Sequence, residues 1–185
     1  METRLAAMEE SHWADIARIY ASGIETGLAT FESEVPARQK FFAVKIPALS
    51  LVAVAPDAKV LGWAAASPVS ARPAYRGVVE HSVYIDPDYA GCGIGARLLA
   101  ELIARARKED YWMVQSAVIA GNEASRALHA KAGFREVGRR ERIAQGARGA
   151  VAGYFPVRTA ALTKLPAQGR SGAAGSNPGA PLRSS

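Results

Sequence analysis

The sequence has a single cysteine, Cys92, so it can form no internal disulfide. Its three histidines are scattered and show no spacing typical of metal ligands. No stretch approaches the roughly eighteen apolar residues of a membrane span, and the N-terminal METRLAAMEE carries acids where a secretory signal would carry basic residues. We therefore expect a cytoplasmic protein that needs no metal and does not act in a membrane.

The net charge of +6 is distributed unevenly along the chain. Residues 1–134 contain 14 Lys and Arg against 15 Asp and Glu, whereas residues 135–185 contain 9 against 2. A basic terminal segment attracts polyanions without forming a recognition surface, and this one has no recognisable nucleic-acid-binding motif. We expect no specific nucleic-acid partner.

A chain of 185 residues fits one domain with a full core. Predicted strands cover residues 3–6, 49–55, 60–66, 79–85, 111–117 and 134–142, and predicted helices cover 12–24, 37–45, 94–107 and 122–133. Hairpins thus precede a strand–helix–strand unit, which predicts an α/β (α+β) fold with one mixed, mostly antiparallel sheet and helices on both faces. Ser11 is the expected N-cap of the first helix. The domain should span residues 1–165, followed by a disordered Gly, Ser, Pro and Ala-rich tail at 166–185.

A glycine-rich turn joins the predicted central strand to the helix after it. Gly91, Gly93 and Gly95 let the backbone approach a phosphate closely, and the free amides of the first helical turn point at it. The turn matches neither GxxxxGK[ST] nor a dinucleotide GxGxxG in its usual place. Any tight strand-to-helix turn also uses glycine, so this feature alone leaves a purely structural interpretation open.

Two segments in order narrow that choice: VEHSVYIDPDYAGCGIGARLL at 79–99 and NEASRALHAKAGF at 122–134. Together they resemble the acyl-CoA-binding core of the GNAT acetyltransferase superfamily. Thr30-Phe31, the RPAY segment at 72–75 and VEHSVYI at 79–85 resemble, more closely, the phosphinothricin and methionine-sulfoximine N-acetyltransferases. The likeness runs from about Thr3 to about Gln145. It implies acetyl-CoA as co-substrate, a small amino acid as acceptor, a homodimer, and a central pair of parallel strands that splay apart around the cofactor.

The resemblance also implies which residues bind the cofactor. Backbone groups of the central strand would hold the pantetheine arm, the turn and first helical residues would hold the phosphates, and the start of the later helix would contact both. These residues are Val83, Tyr84, Ile85, Gly91, Cys92, Gly93, Ile94, Gly95, Ala96, Asn122 and Ser125. Asn122 is equally a good N-cap, and both roles are compatible.

Glu80 and His129 are the candidate catalytic residues. An alkylammonium must lose a proton before it can attack a thioester, and Glu80 matches the proposed catalytic glutamate of the resembled family. We expect Glu80 to be buried, which would raise its pKa; the alternative is a strand glutamate that simply faces water. His129 occupies the position of a tyrosine that protonates the leaving thiolate in most of the superfamily, although a helix histidine is often structural.

The resemblance places Phe31, Arg72, Tyr75 and Val79 at the acceptor site. A guanidinium can bond both oxygens of a carboxylate or phosphinate, so Arg72 favours an acidic acceptor. Arg76 is a second basic residue nearby, at a position that differs from some relatives. The alternatives are acetylation of another amine, such as a polyamine or a peptide N-terminus, and a weakly active acyl-CoA-binding module.

The sequence departs from the resembled pattern in two places. Ala90 and Cys92 stand where relatives carry basic or amide side chains, so we expect weaker acetyl-CoA binding. After Gln145 the Trp-x-Asp strand of the relatives is missing, so we expect an unpaired sheet edge there. A frameshift is one hypothesis, because some GC-rich codons for residues 151–162 would encode a Trp-x-Asp strand one base later; the gene sequence tests it.

Overall fold

The computed structural model describes residues 2–145 and 151–159, and they form one sheet with four helices. In chain order the elements are β1 (Arg4–Ala7), α1 (Trp13–Thr26), α2 (Arg38–Val44), β2 (Ser50–Val54), β3 (Val60–Pro68), β4 (Val78–Ile85), α3 (Ile94–Lys108), β5 (Met113–Ile119), α4 (Glu123–Lys131), β6 (Phe134–Glu136), β7 (Arg140–Gln145) and β8 (Val151–Thr159). The predicted helices and the first strands are confirmed to within about two residues at most boundaries.

The strand order is β1-β2-β3-β4-β5-β8-β6, with β7 also paired to β8. Within the described residues β4 and β5 form the one parallel pair, and the other pairs are antiparallel. A parallel pair needs a crossover connection, which α3 supplies. The predicted α/β fold with a mixed, mostly antiparallel sheet is therefore confirmed.

The two faces of the sheet carry separate hydrophobic cores. On one face α1 and α2 bury Ile16, Ile19 and Phe41 against Trp63 of β3. On the other face α3 buries its apolar stripe, Ile94, Leu98, Leu99, Leu102, Ile103 and Ala106. The apolar residues of both long helices recur at helical spacing, so each helix presents one face to the sheet. Side chains alternate along β4, so this strand contributes to both cores.

The central parallel pair separates partway along its length. The ladder joins Val78–Glu80 to Met113–Gln115 and then stops, although β4 continues to Ile85 and β5 to Ile119. At the separation the Ser116 hydroxyl donates to the His81 carbonyl across a distance of 3.2 Å. We call this point, after the Glu80 and Gln115 pair, the fork. The structure thus contains the splay that the resemblance implied.

Three expectations are wrong. The strand predicted at 134–142 is two strands, β6 and β7, with residues 137–139 between them. Ser11 lies in a short 3-10 turn, Glu10–His12, and its hydroxyl is directed to the Glu9 carboxylate, while His12 occupies the N-cap position of α1. The sheet edge beside β5 is also paired, because β8 forms an antiparallel ladder that joins Gln115–Ile119 to residues 154–158. The missing Trp-x-Asp motif therefore does not remove the strand.

No helix within residues 2–145 and 151–159 is both long and apolar enough to cross a bilayer. The proposed tail at 166–185 lies outside the described residues, so the division of the chain at residue 165 stays a prediction.

Candidate active site

A row of polar side chains crosses the α1 and α2 face of the sheet beside the fork. Ser67 of β3, Glu80 of β4 and Gln115 of β5 are direct partners in the two ladders. The Gln115 side-chain amide donates to the Glu80 carboxylate across a distance of 3.1 Å. Glu80 is exposed, so the burial that we expected for it from the sequence is wrong. An exposed carboxylate held by a neutral donor is open to a substrate.

Lys45 closes one end of this row. Its ammonium donates to the Ser67 hydroxyl across a distance of 3.1 Å and lies 5.5 Å from the centre of the Phe41 ring. Burial lowers the pKa of Lys45, and the nearby Glu80 carboxylate partly opposes that shift. Lys45 therefore places a partly desolvated cation beside the candidate base.

A cleft of about 460 Å³ opens beside Gln115, within the usual size range of small-molecule sites. It is lined by Val69, Ser70, Arg72, Tyr75, Val78, Met113 and Gln115. Arg72 and Tyr75 thus meet here as predicted, with the guanidinium 5.9 Å from the ring centre. The predicted Val79 instead has its side chain fully buried in the α3 core, and its neighbour Val78 lines the cleft.

The two arginines near the cleft differ in surroundings. Arg76 lies with its guanidinium 5.3 Å from the centre of the Trp112 ring and is outside the cleft lining. A side chain at position 77 would collide with the same indole, because a Cβ on Gly77 would lie 2.1 Å from it. Trp112 therefore holds the Arg76 segment against β5, and Arg72 is the arginine directed to the cleft.

Phe31 is half-buried and does not line the cleft. It belongs to the segment between α1 and α2, which hydrogen bonds to the rest of the domain hold in place, including one between the Tyr20 and Thr30 side chains. Tyr84 donates its hydroxyl to the Ala29 carbonyl at 3.3 Å, and Asn122 donates its amide to the Leu28 carbonyl at 2.9 Å. This segment is thereby tied to both β4 and α4.

The glycine-rich turn has the backbone shape that an anion cradle needs. Gly91 and Gly93 have φ of +76° and +77°, which L side chains rarely adopt. Gly93 is the N-cap of α3 and gives the helix no side-chain cap, so the amides of Ile94, Gly95 and Ala96 form the open first turn. Ala90 and Cys92 are exposed, as a position facing a ligand requires.

A buried carboxylate anchors the start of this turn. Asp86 accepts from the Asp88 amide at 3.1 Å, and Arg18 and Lys59 lie 2.9 Å and 3.6 Å from its second oxygen. Burial alone would raise the pKa of Asp86, but the Asp88 amide and the two cations together lower it. The turn is thus fixed to α1 through Arg18 and to the β2–β3 hairpin through Lys59.

Beyond the fork, the β4 residues predicted to hold the pantetheine arm form ladder pairs with β3 but, among the described residues, not with β5. Val83, Tyr84 and Ile85 are in register with Ala64, Trp63 and Gly62 of β3, while the β4–β5 ladder has ended. The Tyr84 ring stacks on Trp63 with 4.5 Å between ring centres, and burial raises the pKa of its hydroxyl. The side chain of Tyr84 is therefore structural, and its backbone faces the opening.

The start of α4 brings Asn122, Ser125 and His129 together. Asn122 is the N-cap, and its side-chain oxygen accepts from the Ser125 amide at 3.0 Å. His129 is only 1% exposed, with Nδ1 2.7 Å from the Ser125 carbonyl and Nε2 3.2 Å from Nε2 of His81. His81 follows Glu80 in β4, so their side chains point to opposite faces of the sheet. His129 contacts His81 and therefore lies on the face opposite the Glu80 carboxylate.

Sequence reasoning missed Lys45, Ser67, His81 and Gln115 as members of this site. The VEHSVYI segment contains His81, so its place beside a candidate residue could have marked it. The other three are recognisable only from strand register and from the packing of α2.

The splayed strands and the open helix start have the backbone shape that we expect of an acyl-CoA-binding core. The chain belongs to the acetyltransferase (GNAT) family, whose sequence profile matches residues 13–134. It is 40% identical to a phosphinothricin N-acetyltransferase of Alcaligenes faecalis over 129 residues, 66% of this chain and 65% of that protein. It is 37% identical to an L-methionine sulfoximine/L-methionine sulfone acetyltransferase of Pseudomonas aeruginosa over 110 residues, 58% of this chain and 64% of the relative.

A solved structure shows the same architecture. The crystal structure of a phosphinothricin acetyltransferase from Sinorhizobium meliloti in complex with AcCoA superposes with a TM-score of 0.77 at 27% identity, covering 85% of this chain and 88% of that one. The curated sequence relatives are matched over less than two thirds of their own length.

Proposed function

We propose that this protein transfers the acetyl group of acetyl-CoA to the α-amino group of a glutamate-like amino acid, such as phosphinothricin, methionine sulfoximine or methionine sulfone. The observation that carries the proposal is the cleft at the fork, where Arg72 and Gln115 line one space and Gln115 holds the Glu80 carboxylate. The cleft thus has a cation for the acid group of the acceptor, and the Glu80 carboxylate, bonded to the cleft residue Gln115, is a base for its amine. The names of the relatives support the same acceptor class.

Bound acetyl-CoA would supply the acetyl group as a thioester. Glu80 takes a proton from the acceptor ammonium, directly or through one water, and the amine nitrogen can then attack the thioester carbonyl carbon. A carbon–nitrogen bond forms, the carbon–sulfur bond breaks, and the thiolate takes up a proton. The exposure of Glu80 suits this role, since the acceptor must reach it.

The cradle residues Gly91 to Ala96 and the open side of Val83 to Ile85 would hold the cofactor through backbone groups. Backbone amides at a helix start bind phosphate without help from side chains. This compensates in part for Ala90 and Cys92, and it keeps acetyl-CoA a suitable co-substrate for this chain.

The test is a thiol-release assay with acetyl-CoA and a panel of amines: phosphinothricin, methionine sulfoximine, methionine sulfone, glutamate, spermidine and a short peptide. Turnover confined to the acidic or sulfonyl amino acids supports the proposal. A preference for spermidine or the peptide would favour another acceptor. Acetyl-CoA binding without turnover of any amine would favour the binding-module alternative.

A homodimer, a cytoplasmic location, and the absence of a specific nucleic-acid or membrane partner remain predictions. Light scattering of the purified protein tests the first, and cell fractionation with a nucleic-acid binding assay tests the others.

A further inference from the structure

Two histidines meet in the core beside the fork. His81 is 2% exposed and His129 is 1% exposed, and their Nε2 atoms lie 3.2 Å apart. The two ring planes are inclined at 30°, with 5.1 Å between ring centres, and Phe134 packs against both rings. Such a short contact between two ring nitrogens requires that one of them carries a hydrogen and the other does not.

The neighbours of His129 determine which nitrogen carries that hydrogen. Its Nδ1 lies 2.7 Å from the Ser125 carbonyl oxygen and 3.3 Å from the Ser125 hydroxyl oxygen. The carbonyl oxygen can only accept, and a hydrogen on Nδ1 satisfies this shorter contact, so Nδ1 is the donor. In a neutral His129 ring, Nε2 is then unprotonated and accepts a hydrogen bond from His81. His81 therefore carries its hydrogen on Nε2, and its buried Nδ1, which has no hydrogen-bond partner among the described residues, is bare.

The surroundings keep both rings neutral. Burial, with the charges of His129 and Lys45, lowers the pKa of His81 from 6.5 to about 3. Burial also lowers the pKa of His129, and the Ser125 carbonyl opposes that shift only in part. Burial thus disfavours an added proton on either ring, and the Lys45 cation adds to this effect at His81.

We propose that His81 is a positioning residue that holds His129 in one neutral tautomer at the fork. This deepens the proposed acetyl transfer and depends on it for its kinetic consequence. With Nε2 accepting from His81 and Nδ1 donating to the Ser125 carbonyl, both ring nitrogens of His129 are engaged, so His129 supports the fork as a neutral ring and does not act as a cationic acid. The leaving thiolate then takes its proton from another source, such as water.

The first arm of the test reads the tautomers directly and needs no activity. The full-length protein is labelled with isotopic histidine, and the ring-nitrogen signals are measured by NMR near neutral pH, with assignment by single substitution of each of the three histidines. The expected result is hydrogen on Nδ1 of His129 and on Nε2 of His81. A charged ring, or hydrogen on Nε2 of His129, would overturn the proposal.

The second arm compares His81→Phe with His81→Gln. Phenylalanine keeps the ring packing without a donor, whereas a glutamine side chain can place an N–H near the same point. We expect His81→Phe to lower kcat about tenfold, leave KM for acetyl-CoA within about twofold, and move the acidic limb of the pH–rate profile to higher pH. His81→Gln should restore most of kcat and the original profile. An unchanged rate and profile in His81→Phe, or equal losses in both variants, would overturn the proposal.

The two arms separate this proposal from the proposed function. If the wild-type protein turns over no amine, acetyl transfer fails as the function, and the tautomer measurement still decides whether His81 positions His129.

Discussion

Glu80 and His81 are neighbours in sequence, but their side chains lie in different surroundings, because successive side chains of a strand point to opposite faces of the sheet. Glu80 is exposed on the cleft side and bonded to Gln115, whereas His81 is buried against His129 on the α3 side. One strand thus presents a candidate base to substrate and a fixed imidazole pair to the core. This separation lets the two residues be tested independently.

The first prediction concerns the Glu80 carboxylate. Glu80→Gln should lower kcat by about 100-fold or more near neutral pH, because a positioned base contributes about 10² to 10⁴ to the rate. The glutamine side chain can still accept from Gln115, so the fold and acetyl-CoA binding should be little changed. The measurement is steady-state kinetics from mildly acidic to alkaline pH. A variant with an unaltered pH–rate profile would remove Glu80 from the mechanism.

The second prediction concerns Arg72. Arg72→Ala should raise KM for an acidic amino acid about tenfold or more, because a charge-assisted hydrogen bond contributes about 1.5 to 3 kcal/mol. KM for acetyl-CoA should barely change, and use of a polyamine should improve, because repulsion is relieved.

Arg76→Ala is the matched control for this charge. It removes the same side chain four positions away, where the guanidinium packs on Trp112 outside the cleft. Its KM for the acidic acceptor should stay within about twofold of the wild type. Equal effects in the two variants would mean that net charge, and not contact with the acceptor, explains the result.

At the scale of elements, the N-terminus of α4 connects three parts of the site. Asn122 caps the helix through the Ser125 amide and also donates to the Leu28 carbonyl. Asn122→Ala should lower the free energy of unfolding by about 1 to 2 kcal/mol, measured by urea denaturation, because it removes the cap.

Asn122→Asp separates these two contacts. An aspartate keeps an acceptor for the Ser125 amide but loses the donor to Leu28, so stability should stay within about 0.5 kcal/mol of the wild type. Hydrogen exchange in the segment after α1 should nevertheless become faster, since one of the hydrogen bonds that hold it is lost. Unchanged exchange in this variant would show that the contacts of Tyr20 and Tyr84 are enough to hold the segment.

The long elements could be predicted from the sequence because their signals are local. The apolar stripe of α3 and the capping residue of α4 lie within one helix, and both are confirmed. The fork was implied by resemblance and not by periodicity. Gln115 could not be predicted, since its contact with Glu80 depends on the register between β4 and β5.

Strand β8 was missed because the chain after Gln145 lacks the Trp-x-Asp motif of the resembled family, and a proline adds a physical reason. Pro156 lies within it, and a proline argues against a central strand because it lacks an N–H for the ladder. In the structure β6 pairs with Val157–Thr159 and β7 pairs with residues 151–154. Residue 156 lies between the part of β8 that pairs with β6 and the part that pairs with β7. On the edge of β8 away from β5, it therefore has no ladder partner among the described residues.

At the scale of the whole molecule, two buried ionisable sites couple stability to pH. The imidazole pair lies in one core and Asp86 lies at the exit of β4, and each has a shifted pKa in the folded state. Their pH ranges differ, because a histidine titrates near 6.5 in the unfolded chain and an aspartate near 3.8. A measurement of stability between these two pH ranges therefore reports on the imidazole pair and not on Asp86.

The pair should make the protein less stable in mild acid. Below pH 6.5 the unfolded chain protonates His81, whereas the folded state stays neutral until about pH 3. The unfolded state then binds more protons, so the free energy of unfolding falls as pH falls, by about 1.4 kcal/mol per pH unit from His81 alone. His129 adds to this slope because its pKa is also lowered. Above pH 6.5 the full stability is present.

Urea denaturation at several pH values between about 4.5 and 7.5 measures this slope. His81→Phe should flatten it by about 1.4 kcal/mol per pH unit or more, because it removes one histidine and the donor that keeps the other neutral. Asp86→Asn is the control: it removes a group whose pKa is lowered from 3.8, so it should change the pH dependence only below about pH 4. Parallel curves for the wild type and His81→Phe would show that His81 takes up its proton at the same pH in the folded and unfolded chains, contrary to the burial and contacts that keep the ring neutral.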